Sequence, residues 1–257
     1  MAIDFNVQDG VATITLNRPE RLNALDAEHY SALSEAWTRV RDDTDIIVAI
    51  VTGAGPKSFS TGADIKSVFD GQWDLSTAWQ TQEDLLLNRG LEIWKPVISA
   101  INGYCLGGGM TLMMATDIRI AASNATFALS EVKRGVIAAN GGTQRILSQL
   151  PYAIAMEMLL TGDAIDAATA ERWGLVNRVV EPDKLMETAF DYAKRIAANA
   201  PLALQASKEL ALRGRDIPLS MGLRAEQYVA RILQTSDDMK EGMAAFADRR
   251  PPRFLGK

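Results

Sequence analysis

Alternation opens the chain. Val7, Val11, Thr13 and Thr15 recur at every second position or so around Asp9-Gly10, which predicts a β-hairpin over residues 3–17 turning at that dipeptide. The period then lengthens: Leu33, Trp37 and Val40 follow Asp26 at helical spacing, so a helix is expected from Asp26 to the polar run at 41–45. Unbroken apolar, β-branched runs at 46–52 and 97–101 predict buried strands, with a helix over roughly 81–94 between them. A helix over 109–115 and a strand over 117–121 come next. Strands alternating with helices in this way imply a parallel α/β sheet. From about residue 183 only helical spacing remains: Ala189, Ala193 and Ile196 share one face, and long helices are expected over 218–233 and 236–247.

No Pro-, Gly- or Ser-rich linker, repeat or low-complexity tract divides the chain. The expected organisation is an α/β core over residues 1–182 and a helical C-terminal region over 183–257 that is part of the same fold. A small helical tail cannot easily bury its apolar faces alone, so packing against a neighbouring subunit is expected. At 257 residues with 47% hydrophobic side chains, one sizeable core is affordable. Residues 97–115 carry no charge and are long enough to suggest a membrane helix, but Asn102 and the run Gly107-Gly108-Gly109 break them into a short strand and a short helix. A net charge of −5 argues against a nucleic-acid binder, which needs a basic face. The single cysteine, Cys105, excludes an intramolecular disulfide and fits a reducing compartment. Met1-Ala2-Ile3-Asp4 lacks the charged and apolar regions of a secretory signal, so a cytoplasmic location is expected.

Candidate chemistry centres on the glycines. Gly107-Gly108-Gly109 sits between an apolar strand and an apolar helix, where free N–H groups point outward; this is either an anion or oxyanion site or a tight turn without chemistry. A second glycine-containing loop follows the 46–52 strand and leads into Phe59-Ser60-Thr61-Gly62-Ala63-Asp64-Ile65-Lys66. If the two strands are parallel neighbours, both junctions lie at their carboxyl ends, where open α/β sheets bind ligands. Two amides aimed at one point can hold a carbonyl oxygen as it becomes negative. Glu131 follows an apolar stretch beside the turn residue Gly135; it reads either as a partly buried acid with a raised pKa or as a helix N-terminal glutamate favourable to the dipole. Gly53-Ala54-Gly55-Pro56-Lys57-Ser58 fails as a phosphate loop because Pro56 stands where glycine is required. His29, the only histidine, lies on a predicted surface helix and reads as satisfied or solvated. Without a second histidine, neither a metal cluster nor a Ser-His or Cys-His pair is expected. Cys105 and the ten methionines read as core filling.

Leu16-Asn17-Arg18-Pro19-Glu20-Arg21-Leu22-Asn23-Ala24-Leu25, Ser60 to Lys66, Asn102 to Gly109, Phe127 to Gly135, Gly141-Gly142-Thr143-Gln144-Arg145, Leu160-Thr161-Gly162, Trp173 to Asn177 and Glu241 to Phe246 together resemble the crotonase superfamily, also called enoyl-CoA hydratase/isomerase, nearly end to end. The resemblance implies a ββα spiral core with a helical C-terminal oligomerisation region, assembled as trimers that often pair into hexamers. It implies an acyl-CoA thioester as substrate, with CoA part of that substrate and no separate metal or redox cofactor. Its enolate would be held by the amides of Ala63 and Gly108, with Glu131 as acid/base. Arg21, Ala24, Ala63, Asp64, Ile65 and Lys66 would line the CoA path, and Phe246 and Arg249 would reach the nucleotide from a neighbouring subunit. The segment Asp70 to Trp79 reads as a mobile wall of the acyl pocket or as a surface loop.

The chain departs from two-glutamate hydratases at Thr111, which stands where those enzymes carry their second glutamate. Hydration by paired carboxylates is therefore put in doubt, whereas a single glutamate can move a proton between carbons; some single-glutamate members nevertheless resemble hydratases or hydratase-lyases acting on conjugated aryl substrates. A further family acid would fall near Ala139-Asn140, and neither is acidic. The alternatives are a thioester hydrolase or carbon–carbon lyase on the same scaffold, and a non-enzymatic acyl-CoA-binding or RNA-associated protein. The basic helix of the RNA-binding branch has no counterpart at 26–45.

Overall fold

In a computed structural model, which describes residues 1–64 and 85–257, the chain turns first at Asp9 (φ 51°) and Gly10 (φ 75°). Both occupy the left-handed region that a two-residue hairpin demands, and they join β1 (Ile3–Gln8) to antiparallel β2 (Val11–Leu16). Asp26 then caps α1 (Ala27–Asp42) by accepting from the His29 amide at 3.1 Å. Two sheets follow from a repeated step. The first contains β1, β2, β3 (Val48–Gly53), β5 (Val97–Ile101), β7 (Ile118–Ala122) and β10 (Arg178–Val180) in that spatial order, parallel from β2 onward. The second contains β4 (Ser58–Ser60), β6 (Tyr104–Leu106), β8 (Thr126–Ala128) and β9 (Ile165–Asp166), parallel except for β9. Each of β3, β5 and β7 thus feeds a short strand of the second sheet, and β6 runs on into α2 (Gly108–Met114): a ββα spiral.

The three-residue strands β4, β6 and β8 are the main addition to the expected element order. The sequence pattern takes 97–101 directly into the glycine turn and helix, whereas the chain crosses to the second sheet first. Gly103 permits the crossing, because a Cβ there would collide with the Lys57 carbonyl. Asn102 fixes it, donating from Nδ2 to the Gly53 carbonyl at 2.9 Å. The strands expected at 46–52 and 117–121 are each offset by one or two residues. The helix expected over roughly 81–94 does not extend through its described part. Leu87–Arg89 forms a single 3-10 turn, and Gly90 at φ 95° ends it in a conformation no helix continues.

Strand periodicity decides the layers. Val48, Ile50, Ile98, Ala100 and Ile120 face α6 (Leu185–Ala197), packing on Leu185, Ala189 and Ala193. The intervening Ala49, Val51, Val97 and Ile101 face the other way, into a cluster with Leu33, Trp37, Phe59, Met110 and Phe127. Each large side chain fully buried there contributes roughly 1.5–3 kcal/mol. Residues 97–115 divide among β5, β6 and α2, and no helix of the described residues is long and apolar enough to cross a membrane.

Helices α3 (Gly142–Gln149), α4 (Tyr152–Thr161) and α5 (Ala167–Arg172) lie between the β8 strand and β10. After α6 come α7 (Pro201–Arg213), α8 (Leu219–Leu233) and α9 (Asp237–Asp248). Lys208 moors α7 to the core, with Nζ 2.7 Å from Asp117 Oδ2 and 3.0 Å from the Lys95 carbonyl. Neither α7 nor α8 buries a single residue fully.

Candidate active site

The site is assembled from three chain segments held together by polar side chains of the first loop. Asn23, fully buried at φ 55°, donates from Nδ2 to the carbonyls of Ala54 (3.0 Å) and Ser58 (2.7 Å) and accepts from the Arg18 amide at 3.0 Å. The Arg18 guanidinium meets Asp64 at 2.9 Å and Asp26 at 3.2 Å. Leu25 pairs with the segment after β4: its amide donates to the Gly62 carbonyl at 2.8 Å, and its carbonyl accepts from Asp64 N at 2.9 Å. Sequence reasoning assigned no task to Arg18 or Asn23. Only an asparagine in a loop, a residue type that tolerates left-handed backbone, hinted at it.

β4 and β6 are parallel neighbours with Ser60 opposite Cys105, so Thr61-Gly62-Ala63 and Gly107-Gly108 leave the same sheet edge side by side. Gly62 (φ 83°) and Gly107 (φ 52°) take backbone conformations that side chains disfavour. The approach is close. A Cβ on Gly62 would collide with the Gly108 nitrogen, and one on Gly108 would lie 3.1 Å from Gly62 Cα and 3.4 Å from the Ala63 nitrogen. The amides of Ala63 and Gly108 donate no hydrogen bond among the described residues. Two neighbouring free donors can receive one oxygen atom, and they favour it most when it carries charge.

Glu131 stands beside them, at the start of the 3-10 turn Glu131–Arg134 that Gly135 (φ 75°) closes. Its Oε1 is 3.3 Å from where a Cβ of Gly107 would be, and its Oε2 is buried with no hydrogen-bond partner among the described residues. Burial raises its pKa above the usual glutamate value, outweighing its own backbone amide and the charge of Arg134. Burial that favours the neutral form suits such a carboxyl to holding and returning a proton.

Thr111 is nearly inaccessible. Its hydroxyl donates to the Gly108 carbonyl at 3.0 Å and accepts from Asn88 Nδ2 at 3.0 Å. Arg145 in turn donates to the carbonyls of Asn88 (3.2 Å) and Asn140 (2.9 Å). Ala63, Gly108, Glu131 and Thr111 are therefore brought together. Ala24 and Arg21 lie in the adjoining loop, with Arg21 exposed and the Ala24 amide bonded to its carbonyl. The Asp64 carboxylate is held by Arg18. Ile65, Lys66 and the segment 70–79 lie outside the described residues. Phe246, 84% exposed, and Arg249, the C-cap of α9, sit at the far end of the chain among the C-terminal helices.

His29 differs from the surface residue expected. It belongs to the buried face of α1 with Leu33, Ala36, Trp37 and Val40, and its Nδ1 lies 2.6 Å from Asp26 Oδ1. Cys105 is fully buried in β6, where burial pushes its thiol pKa well up, as suits a packing residue.

This architecture is shared with known proteins. A family model described as "Enoyl-CoA hydratase/isomerase" matches residues 6–257. The chain is 45% identical over 256 residues to an (E)-benzylidenesuccinyl-CoA hydratase from Thauera aromatica, covering 100% of both, and 38% identical over 261 residues to a carnitinyl-CoA dehydratase from Citrobacter koseri, covering 100% of this chain and 99% of that one. Among solved structures, an enoyl-CoA hydratase from Mycobacterium marinum superposes with a TM-score of 0.92 at 37% identity, covering 100% of this chain and 99% of its own. One from Bacillus anthracis gives 0.92 at 33% identity, with 100% of each covered. The expectation of a ββα spiral is met, and the reading as a non-enzymatic binding protein gives way to that of an enzyme acting on acyl-CoA. The chain belongs to the enoyl-CoA hydratase/isomerase family.

Proposed function

We propose that the enzyme adds water to an α,β-unsaturated acyl-CoA, or removes it in the reverse direction, with one glutamate carrying the proton. The observation that carries this reading is the half-buried Glu131 carboxyl beside two convergent, unengaged amides. The thioester carbonyl oxygen sits between the amides of Ala63 and Gly108. As water attacks Cβ, its oxygen forms the new bond and gives a proton to the Glu131 carboxylate, while the double-bond pair moves onto the carbonyl oxygen. Glu131 then returns the proton to Cα and regains its starting state. Thr111 neither gives nor takes a proton in this scheme; its hydroxyl closes on the first turn of α2 by donating to the Gly108 carbonyl.

Water chemistry is favoured over a double-bond shift because the similar proteins are a hydratase and a dehydratase. The same carboxyl could move a proton between carbons, so an isomerase remains the second reading. CoA is taken as part of the substrate, its path passing Arg21, Ala24 and Asp64 and continuing to Ile65 and Lys66. Phe246 and Arg249 act from a neighbouring subunit of a trimer or hexamer. The apolar residues left exposed on α8 and α9 support that assembly, among them Leu219 at 76% and Ile232 at 68%. The test is turnover of a panel comprising simple α,β-enoyl, β,γ-enoyl, (E)-benzylidenesuccinyl and carnitinyl thioesters. Hydration or dehydration of at least one is expected. A double-bond shift with no water chemistry on any member would replace this reading with the isomerase.

A further inference from the structure

Asn88 takes no part in the scheme above, yet its side chain is the polar group least accounted for near the glycine junction. It is 7% exposed, in the 3-10 turn Leu87–Arg89, and the turn is pinned by Arg145, which donates to the Asn88 carbonyl at 3.2 Å. The orientation of its amide follows from proton counting. Thr111 has one hydroxyl proton, and it goes to the Gly108 carbonyl at 3.0 Å. Toward Asn88 the hydroxyl can therefore act only as an acceptor, so Asn88 presents Nδ2 at 3.0 Å and turns Oδ1 away. Oδ1 is buried and accepts from no donor among the described residues, a state that native interiors seldom leave unused. Glu131 Oε2 is in the same condition.

These two oxygens belong to residues that touch opposite ends of one helical turn. Glu131 lies against Gly107, and Asn88 holds Thr111. Between those ends is Gly108, whose amide faces the thioester oxygen in the reading just given. Two buried acceptors with no donors of their own are matched by a molecule that carries two O–H groups. We propose that Asn88 orients the reacting water: one O–H donates to Asn88 Oδ1, the other to Glu131 Oε2, and a lone pair of the oxygen faces Cβ of the bound enoyl thioester. Asn88 takes no proton. Glu131 receives it as the C–O bond forms and returns it to Cα, so the balance of the reaction is unchanged. The pair Asn88 and Thr111 thereby supplies the orientation that a second carboxylate would otherwise give, without placing another charge in a buried site. This inference rests on the hydration reading.

The test separates water addition from proton transfer at Cα. Hydration of the best enoyl-CoA from the panel is measured beside exchange of the α-hydrogens of the matching saturated acyl-CoA in D2O. That exchange needs Glu131 and the two amides but no water at Cβ. Misplacing one reactant commonly costs roughly 10–100-fold, and Asn88→Leu is expected to lower hydration by that much while leaving exchange within about threefold. Asn88→Asp, which keeps an acceptor oxygen, is expected to recover at least about tenfold of the hydration lost in Asn88→Leu. Unchanged hydration in Asn88→Leu would overturn the inference and leave the hydratase reading intact. Equal loss of hydration and exchange with no recovery in Asn88→Asp would make Asn88 a structural residue only. Exchange without hydration of any panel member by the unaltered enzyme would overturn both readings together.

Discussion

Glu131 illustrates how much a single position owes to its surroundings. The same carboxyl on a solvated turn would ionise at the ordinary value, whereas here burial favours its neutral form. Positioned acids and bases contribute roughly 10²–10⁴-fold, so Glu131→Gln is expected to lose at least about 100-fold in turnover while binding acyl-CoA with nearly unaltered affinity in calorimetry. The raised pKa also fixes the sign of a stability effect. In the window between its unfolded and folded pKa the folded state binds more protons than the unfolded one, so Glu131 costs stability as pH rises through that window. Glu131→Gln should therefore raise the melting temperature at neutral pH, with the gain vanishing below the normal carboxylate range. A variant that gains nothing at neutral pH relative to acid would contradict the burial argument. The proposed role of Glu131 was legible through its neighbours in sequence and the family resemblance. Those of Arg18, Asn23 and Asn88 were not, because their partners lie tens of residues away and short polar side chains in loops carry no periodic signal. The reading of His29 as a satisfied side chain agrees with its Asp26 contact, and its burial was also legible, since its spacing to Leu33, Ala36 and Val40 is that of the buried stripe of α1.

At the scale of elements, long runs declared themselves and short ones did not. The hairpin and α1 follow from their periods and β3 and β5 from their unbroken apolar runs, but β4, β6 and β8 have three residues each, too few to show either signal. Their places are set by where two backbones can touch, which depends on glycines whose pattern suggests an oxyanion site or a turn but not a second sheet. Gly108 and Gly109, adjacent in α2, now separate into different tasks. A Cβ on Gly109 would collide with the Ser60 carbonyl, whereas a Cβ on Gly108 would meet Gly62 Cα at 3.1 Å and stand 3.4 Å from the Ala63 nitrogen, beside the proposed oxyanion position. Replacing a helical glycine by alanine ordinarily stabilises by about 0.5–1 kcal/mol. Gly109→Ala is expected to do the reverse and destabilise by roughly 1–3 kcal/mol through overpacking, measured by denaturant unfolding. Gly108→Ala should stay folded yet lose turnover, since obstructing or rotating one such donor costs about 3–4 kcal/mol of barrier. Wild-type turnover in Gly108→Ala would remove this amide from the mechanism.

The whole molecule is built around a sheet whose inner strands β3 and β5 are buried throughout and a helical tail that is left largely uncovered. Helix α6 closes one face of the six-stranded sheet with Leu185, Ala189 and Ala193, so the first part of the C-terminal region belongs to the core in packing. Beyond it the pattern changes. Leu219, Met221, Leu223, Tyr228 and Ile232 on α8 and Met243 and Phe246 on α9 are all at least half exposed, from 50% at Leu223 to 84% at Phe246. A run of apolar side chains on two successive helices is larger than the scattered exposure normal for a monomer surface. The sequence made the tail legible as helical and as unable to bury itself, but the identity of what covers it depends on a second surface that one chain's periodicity does not encode. A neighbouring copy is the expected cover, because the same arrangement would carry Phe246 and Arg249 toward another subunit's nucleotide path. Sedimentation should therefore give three or six times the 28.0 kDa chain mass. Ile232→Glu, which sets a charge on the exposed face of α8 without touching the core, is expected to shift that mass toward the monomer and to weaken acyl-CoA binding in parallel, since in the proposed assembly the nucleotide contacts come from the partner. A monomeric wild-type enzyme with full activity at micromolar concentration would show that the site is complete within one chain and that α8 and α9 serve some other surface.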